Sequence, residues 1–211
     1  MSVGTASAVA EAPARCADRM KVRLADALWS CLEEKRLADI SVGDVIEAAD
    51  VSRGSFYYHF SDLDHLTTWA LECEIMDSDR QGHSFAILSS RAVVPEETPV
   101  MSRSIARVCL LLDRGGMSAV FEVSLDAMLG VWTEALCGSG EELPDSVVAQ
   151  LEYAAGGMVG MLARASGSSE AKRRVSVAFL HERHLWLVQR VAEVLGVSAR
   201  ELMGRLDGAA A

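Results

Sequence analysis

Nine consecutive residues, Ser52 to Phe60, carry Arg53, Ser55, Tyr57, Tyr58 and His59 and no acidic side chain. A guanidinium, a hydroxyl, two phenols and an imidazole share one chemistry: hydrogen bonding to phosphate oxygens and to base edges. Phe56 and Phe60 lie four apart, so a helix through this stretch turns hydrocarbon inward and polar groups outward. Ser41 and Ser52 stand where two helices would begin. A hydroxyl there either caps the free N–H groups or donates to a phosphate drawn to them.

A second cluster, His181-Glu182-Arg183-His184, puts two imidazoles three apart on one helical turn. The HExxH zinc pattern needs histidines four apart with Glu beside the first, and di-iron bundles need Glu three residues ahead of His, so neither is met. Its expected place is the surface or a dimer edge. Gly115-Gly116, Gly138-Ser139-Gly140 and Gly167-Ser168-Ser169 follow no strand and read as helix ends or turns, not phosphate loops. With no Ser-His-Asp signature or nucleophile elbow either, the sequence assigns no catalytic residue, metal or cofactor, and an enzyme is not the expectation.

The elements that must position the polar run are written in apolar spacing. Leu24, Leu28, Cys31 and Leu32 make one helical stripe ahead of it, and Val42, Val45, Ile46 and Ala49 make a second behind the cap at Ser41. Asp50 and Val51 fill the turn between the second helix and the polar run, where a positive φ is often needed and Asp is better tolerated than most non-glycine residues. From Leu63 a third stripe, that of a fourth helix, follows through Leu66, Trp69, Ala70 and Cys73, running on into acidic Glu72 and Glu74.

With these stripes in place, the stretch from Arg23 to Trp69 resembles the helix-turn-helix domain of the tetracycline-repressor (TetR) family of bacterial transcription regulators. That family's signature ends in a Gly-Thr-aromatic-Tyr-x-His-Phe type run, here Gly54-Ser55-Phe56-Tyr57-Tyr58-His59-Phe60. The resemblance implies an all-α protein with an N-terminal three-helix DNA-binding domain over 18–77, its connector helix starting near 62, and a C-terminal helical domain over 78–211 for effector binding and dimerisation. It implies a repressor that binds double-stranded DNA at an inverted repeat as a homodimer and is released by a small molecule. Ser41 and Ser52 would then meet phosphates, Tyr57 and His59 would position the backbone, and Arg53, Ser55 and Tyr58 would reach base edges. Candidates for the effector pocket are Phe85, Met101, Phe121, Met128, Trp132, Tyr153, Met158 and Met161, although Met and aromatic residues at helical spacing also fill plain cores. The last two long helices would form the dimer surface, with Ala154, Ala155, Gly156, Gly157 and Gly160 allowing close approach. Three positions depart from the family pattern. Arg36 and Asp50 replace glycines, and Leu63 replaces a Lys that reaches a phosphate.

Charge narrows the expectation. The net charge is −10, and residues 1–70 hold seven basic side chains against eleven acidic ones. Phosphate neutralisation supplies much of the affinity for DNA, so weak non-specific binding and a modest salt dependence are expected, with the contact resting on the acid-free run. Hydrophobic residues make up 50% of the chain and only four are proline, which favours helices throughout. Expected C-terminal helices cover 100–113, 118–136, 145–165, 172–195 and 198–206, with a boundary near Asp77 and a Pro-bearing loop over 95–99. The opening 1–17 lacks a basic region ahead of its weakly apolar run and reads as a disordered tail, and no stretch approaches a membrane span, so a cytoplasmic place is expected. Five widely spaced cysteines suggest reduced thiols, mainly core packers. A same-fold regulator governed by a protein partner or by no effector, and a helical-bundle enzyme, are the competing readings.

Overall fold

Apolar groups recurring at three- and four-residue intervals fold as helices wherever the computed structural model describes the chain: residues 18–76, 99–137, 141–166 and 170–209, of which 76, 99–102, 170–181 and 207–209 are described by backbone alone. The helices are α1 (Arg19–Glu34), α2 (Val42–Ala49), α3 (Arg53–His59), α4 (Leu63–Met76), α5 (Pro99–Asp113), α6 (Met117–Leu136), α7 (Asp145–Ala165), α8 (Glu170–Leu195) and α9 (Ala199–Ala209), with one 3-10 turn at Leu37–Asp39. No strand occurs among the described residues, so the fold is all-α. The five expected C-terminal helices begin and end within three residues of α5 to α9. The 1–17 tail, the boundary near Asp77 and residues 95–98 of the expected loop lie outside the described residues.

Two apolar clusters organise the chain. Leu24, Leu28 and Leu32 of α1, Val45 of α2, Phe56 of α3 and Leu66 of α4 are fully buried in the first. That cluster runs on without a break into Leu111 of α5 and Val120, Val123 and Ala127 of α6. The second joins Met128 and Trp132 of α6 to Leu151 and Ala155 of α7, Val188 and Val191 of α8, and Leu202 and Leu206 of α9. Helix α6 therefore gives its first half to one cluster and its second half to the other.

Three local expectations need correcting or sharpening. Arg36 takes φ −74 and ψ 151, extended backbone open to any residue, so the bend after α1 imposes no need for glycine. His184 is buried on α8, not set at a surface or dimer edge, because its position in that turn faces the packed side, while Glu182 and Arg183 beside it are exposed. Cys31 and Cys137 carry free thiols, but Cys73 is disulfide-bonded, a departure from reduced thiols throughout. Sequence spacing does not reveal which thiols meet in space.

Between α5 and α6 the chain reverses at Gly115 and Gly116, and this corner docks on the end of α1. Leu37 N–H donates to the Arg114 carbonyl at 2.9 Å, and the Arg114 guanidinium donates to the Glu33 carbonyl. Gly115 has φ +97, which L side chains rarely adopt. A Cβ on Gly116 would lie 2.5 Å from Leu111 Cγ, and Leu111 is fully buried. Each of Gly115→Ala and Gly116→Ala should lower stability by about 1–3 kcal/mol in urea unfolding followed by circular dichroism. A loss under about 0.5 kcal/mol for Gly116→Ala would mean that Leu111 repacks at little cost.

Candidate functional site

Helix α3 is only seven residues long and depends on its neighbours. Its inward side is Phe56, fully buried, whose ring meets Phe60 at 6.1 Å. Phe60 in turn sits edge-on to Trp69 at 5.7 Å and to His65 at 5.2 Å, both on α4. At the other end, Asp50 takes φ 49 and ψ 56, the left-handed conformation that the sequence leads one to expect of this turn. Val51 N–H closes on the Ile46 carbonyl at 3.0 Å, as at many helix ends. Arg23 of α1 donates to the Asp50 carbonyl at 3.1 Å, with the Asp50 carboxylate 3.6 Å away, so the turn is tied to α1 and its charge is offset.

Both serines cap helices. Ser52 Oγ accepts from Ser55 N–H at 3.1 Å. Ser41 Oγ accepts from Asp44 N–H at 3.2 Å, and the Asp44 carboxylate accepts from the Ser41 N–H at 2.8 Å and its hydroxyl at 2.7 Å, a reciprocal capping box. Lys35 Nζ lies 2.6 Å from the other Asp44 oxygen. Lys35 and Ser41 together hold the Asp44 carboxyl well below the usual aspartate range, and Asp44 raises the Lys35 ammonium above its own. The start of α2 thus already contains an anion, with Lys35 as counter-charge, and the Ser41 hydroxyl proton is committed to it. A phosphate drawn to this helix end would meet that carboxylate first.

The remaining candidates divide by exposure. Tyr58 is 84% exposed and Tyr57 50%. Arg53 and Ser52 are exposed, while Ser55 is half-buried. Arg53 and Tyr57, four apart, share one outward face with Tyr58 beside it. His59 is half-buried: its ring meets Tyr58 edge-on at 4.9 Å, and its Nδ1 lies 3.4 Å from Asp18 Oδ2, at the cap of α1. Desolvation works against the Asp18 charge, yet the Met20 and Lys21 N–H groups and His59 hold its carboxyl below the ordinary value.

At the start of α4, Leu63 is half-buried and packs on the first cluster. Asp62 accepts from His65 N–H at 2.7 Å and from the Ser61 hydroxyl at 2.9 Å, which hold its carboxyl low. A cation comes near this corner from elsewhere: Lys21 Nζ of α1 is 5.7 Å from the Phe60 ring centroid and 5.8 Å from that of Trp69. Lys21, Arg23 and the Asp18 contact to His59 escape a reading of the sequence because their partners are distant in the chain, and Lys35 escapes it because a bend separates it from Asp44. The box at Ser41-Val42-Gly43-Asp44 was detectable from its three-residue spacing.

The effector-pocket candidates fall in different settings. Met128 and Trp132 are buried in the second cluster. Phe121 is half-buried and touches both clusters, and Met158 and Met161 pack with Ile105 and Leu162. Tyr153 is 76% exposed. Phe85 lies outside the described residues and Met101 is described by backbone alone. An open groove of about 500 Å³ lies between α1 and α2, lined by Arg19, Arg23, Asp26, Ala49 and Asp50 among others, and none of the pocket candidates borders it. Among the described residues no group of three metal-ligating side chains occurs, and no helix is long and apolar enough to cross a membrane. Compared with known proteins, the chain matches no family model and no curated protein.

The depressed Asp44 pKa carries a signed consequence. A carboxylate that is lower in the folded chain than its ordinary 3.8 contributes stability that is complete above that value and drains away as pH falls through the folded one. Lowering the pH from about 6 to about 2 should therefore erode the stability difference between wild type and Asp44→Asn, with wild type the more stable at the upper end. Urea midpoints measured across the range check this, and a difference that stays constant would remove Asp44 from the acid response.

Proposed function

We propose that this protein is a sequence-specific DNA-binding transcriptional regulator of the tetracycline-repressor type, acting as a repressor at an inverted-repeat operator. The observation that carries the reading is α3: a helix with no acid, fixed from behind by Phe56, Phe60 and Trp69, that presents Arg53, Tyr57 and Tyr58 outward. Guanidinium and phenol groups on a short helix packed across others suit the major groove, where Arg can grip a guanine through two hydrogen bonds. In this reading Tyr57 and His59 meet the phosphate backbone, His59 after leaving Asp18, and Arg53, Ser55 and Tyr58 read bases.

The homodimer is part of the same proposal. On α7, Gly157 and Gly160 have no heavy atom within 4 Å of a would-be Cβ, and exposed Tyr153 lies on the same helix. On α8, Trp186 and Val194 are exposed as well. A two-fold pairing of these helices from each subunit would cover that surface and repeat α3 at a spacing of about 34–36 Å or a multiple of it. A small-molecule effector would act by binding more tightly to the dimer whose α3 helices no longer match successive grooves.

The second reading, a regulator that needs a protein partner, draws on the acids around the same helix: Asp18, Asp44, Asp50 and Asp62 all lie near its ends or its supports. Selection from randomised duplexes at low salt separates the two. The proposal expects an enriched inverted repeat with the chain alone, and no enrichment would overturn it. Arg53→Ala should relax preference at one position of each half-site by about 1–3 kcal/mol, whereas Tyr57→Phe should weaken all sites about equally. The opposite pattern in the selected pools would reverse the two assignments.

A further inference from the structure

Away from α3, one cluster of charged side chains joins three helices that are far apart in the chain. Glu74 of α4 is 3% exposed. One of its oxygens accepts from the Ser104 hydroxyl at 2.6 Å and the other pairs with Arg107 Nη1 at 2.5 Å, both partners on α5. The second Arg107 nitrogen, Nη2, reaches Asp26 Oδ1 of α1 at 2.8 Å. The guanidinium also lies 5.4 Å from the centroid of the Trp29 ring, again on α1.

The two carboxylates differ in what they lose on release. Glu74 sits among buried side chains, and stripping its counter-charge would leave an anion without water to solvate it, which is strongly unfavourable. The Asp26 side chain is 57% exposed and can exchange Arg107 for water at little cost. A guanidinium is planar and rigid, so a group committed through one nitrogen to α4 cannot follow a shift of α1 through the other. We propose that Arg107 is a latch with one permanent and one releasable contact, which fixes α1, and with it α2 and α3, against α5 until the Asp26 contact opens.

Several observations agree with that division. Lys35, just past α1, pairs with Asp44 of α2, and Arg23 of α1 with Asp50 in the turn before α3, so a change at α1 is passed on toward α3. Arg107 and the α5–α6 corner at Arg114 touch α1 about two turns apart, at Asp26 and Glu33. Opening at Asp26 alone would loosen α1 where it meets α5 while the Glu33 contact still holds its C-terminal end, and the loosening would reach α3 through those ion pairs. The latch acts on the position of α3 whatever α3 binds, and its test needs no DNA.

Hydrogen exchange read by mass spectrometry on the full chain decides the matter. Asp26→Asn takes the charge out of the releasable contact and leaves Glu74 paired. Amides of α1 to α3 should then exchange about two- to fivefold faster, with α6 to α9 unchanged, and Asp26→Glu should keep the wild-type pattern. Unchanged exchange in α1 to α3 would overturn the latch. So would acceleration spread evenly over the whole chain, since that is the mark of general destabilisation, or an Asp26→Glu pattern matching Asp26→Asn.

Discussion

Burial of Phe56 and Phe60 is the constraint on which the arrangement depends. A seven-residue helix is too short to persist in water by itself, because nucleation costs more than so few hydrogen bonds return. Helix α3 exists because two aromatic rings, each contributing roughly 1.5–3 kcal/mol on leaving water, anchor it to α1 and α4. Everything asked of Arg53, Tyr57 and Tyr58 follows from that attachment. Their backbone is fixed from the inside, so their side chains can be spent on the outside. The turn at Asp50 serves the same end, since its left-handed backbone and the Arg23 contact set the angle at which α3 leaves α2.

Electrostatics then limits what the outward face can do. The start of α2 is filled by the side chain of Asp44, and His59 rests against Asp18. Position 63 offers hydrocarbon, and Lys21 approaches the same corner from α1 over two aromatic rings. An anionic ligand meeting this surface would find few unpaired cations, chiefly exposed Arg53, and would have to compete with internal carboxylates for the others. Such a surface favours discrimination by close-range hydrogen bonds over long-range attraction, because net charge supplies the latter and here it is negative.

Much of this was legible in the residues. The stripes Leu24-Leu28-Cys31-Leu32 and Leu66-Trp69-Ala70-Cys73 predicted buried helix faces, and all of these residues are buried but Cys31, which is half-buried. Periodicity works best for α1, which has one core side, and less well for α4, where Thr67, Leu71, Glu74 and Ile75 are buried besides the stripe. The caps at Ser41 and Ser52 and the positive φ at Asp50 were local properties and so were open to local reasoning. His184 was not, since its turn reads as polar while its own side chain packs inward. Glu74 was missed for a related reason: an acid on a connector helix looks solvated until Ser104 and Arg107, thirty and more residues on, are seen to satisfy it. The effector candidates were chosen by residue type, and type alone does not distinguish a core methionine from a lining one.

Helix α6 carries a consequence for how the chain gains and loses its structure. Its two halves belong to different apolar clusters, with Val120, Val123 and Ala127 in one and Met128 and Trp132 in the other. One helix serves both clusters, so unfolding α6 would strip a wall from each. An excised piece ending after α4 would leave uncovered the side of its core that Leu111 and Val120 close. Such a fragment would be a sticky, partly ordered species in place of a small independent domain.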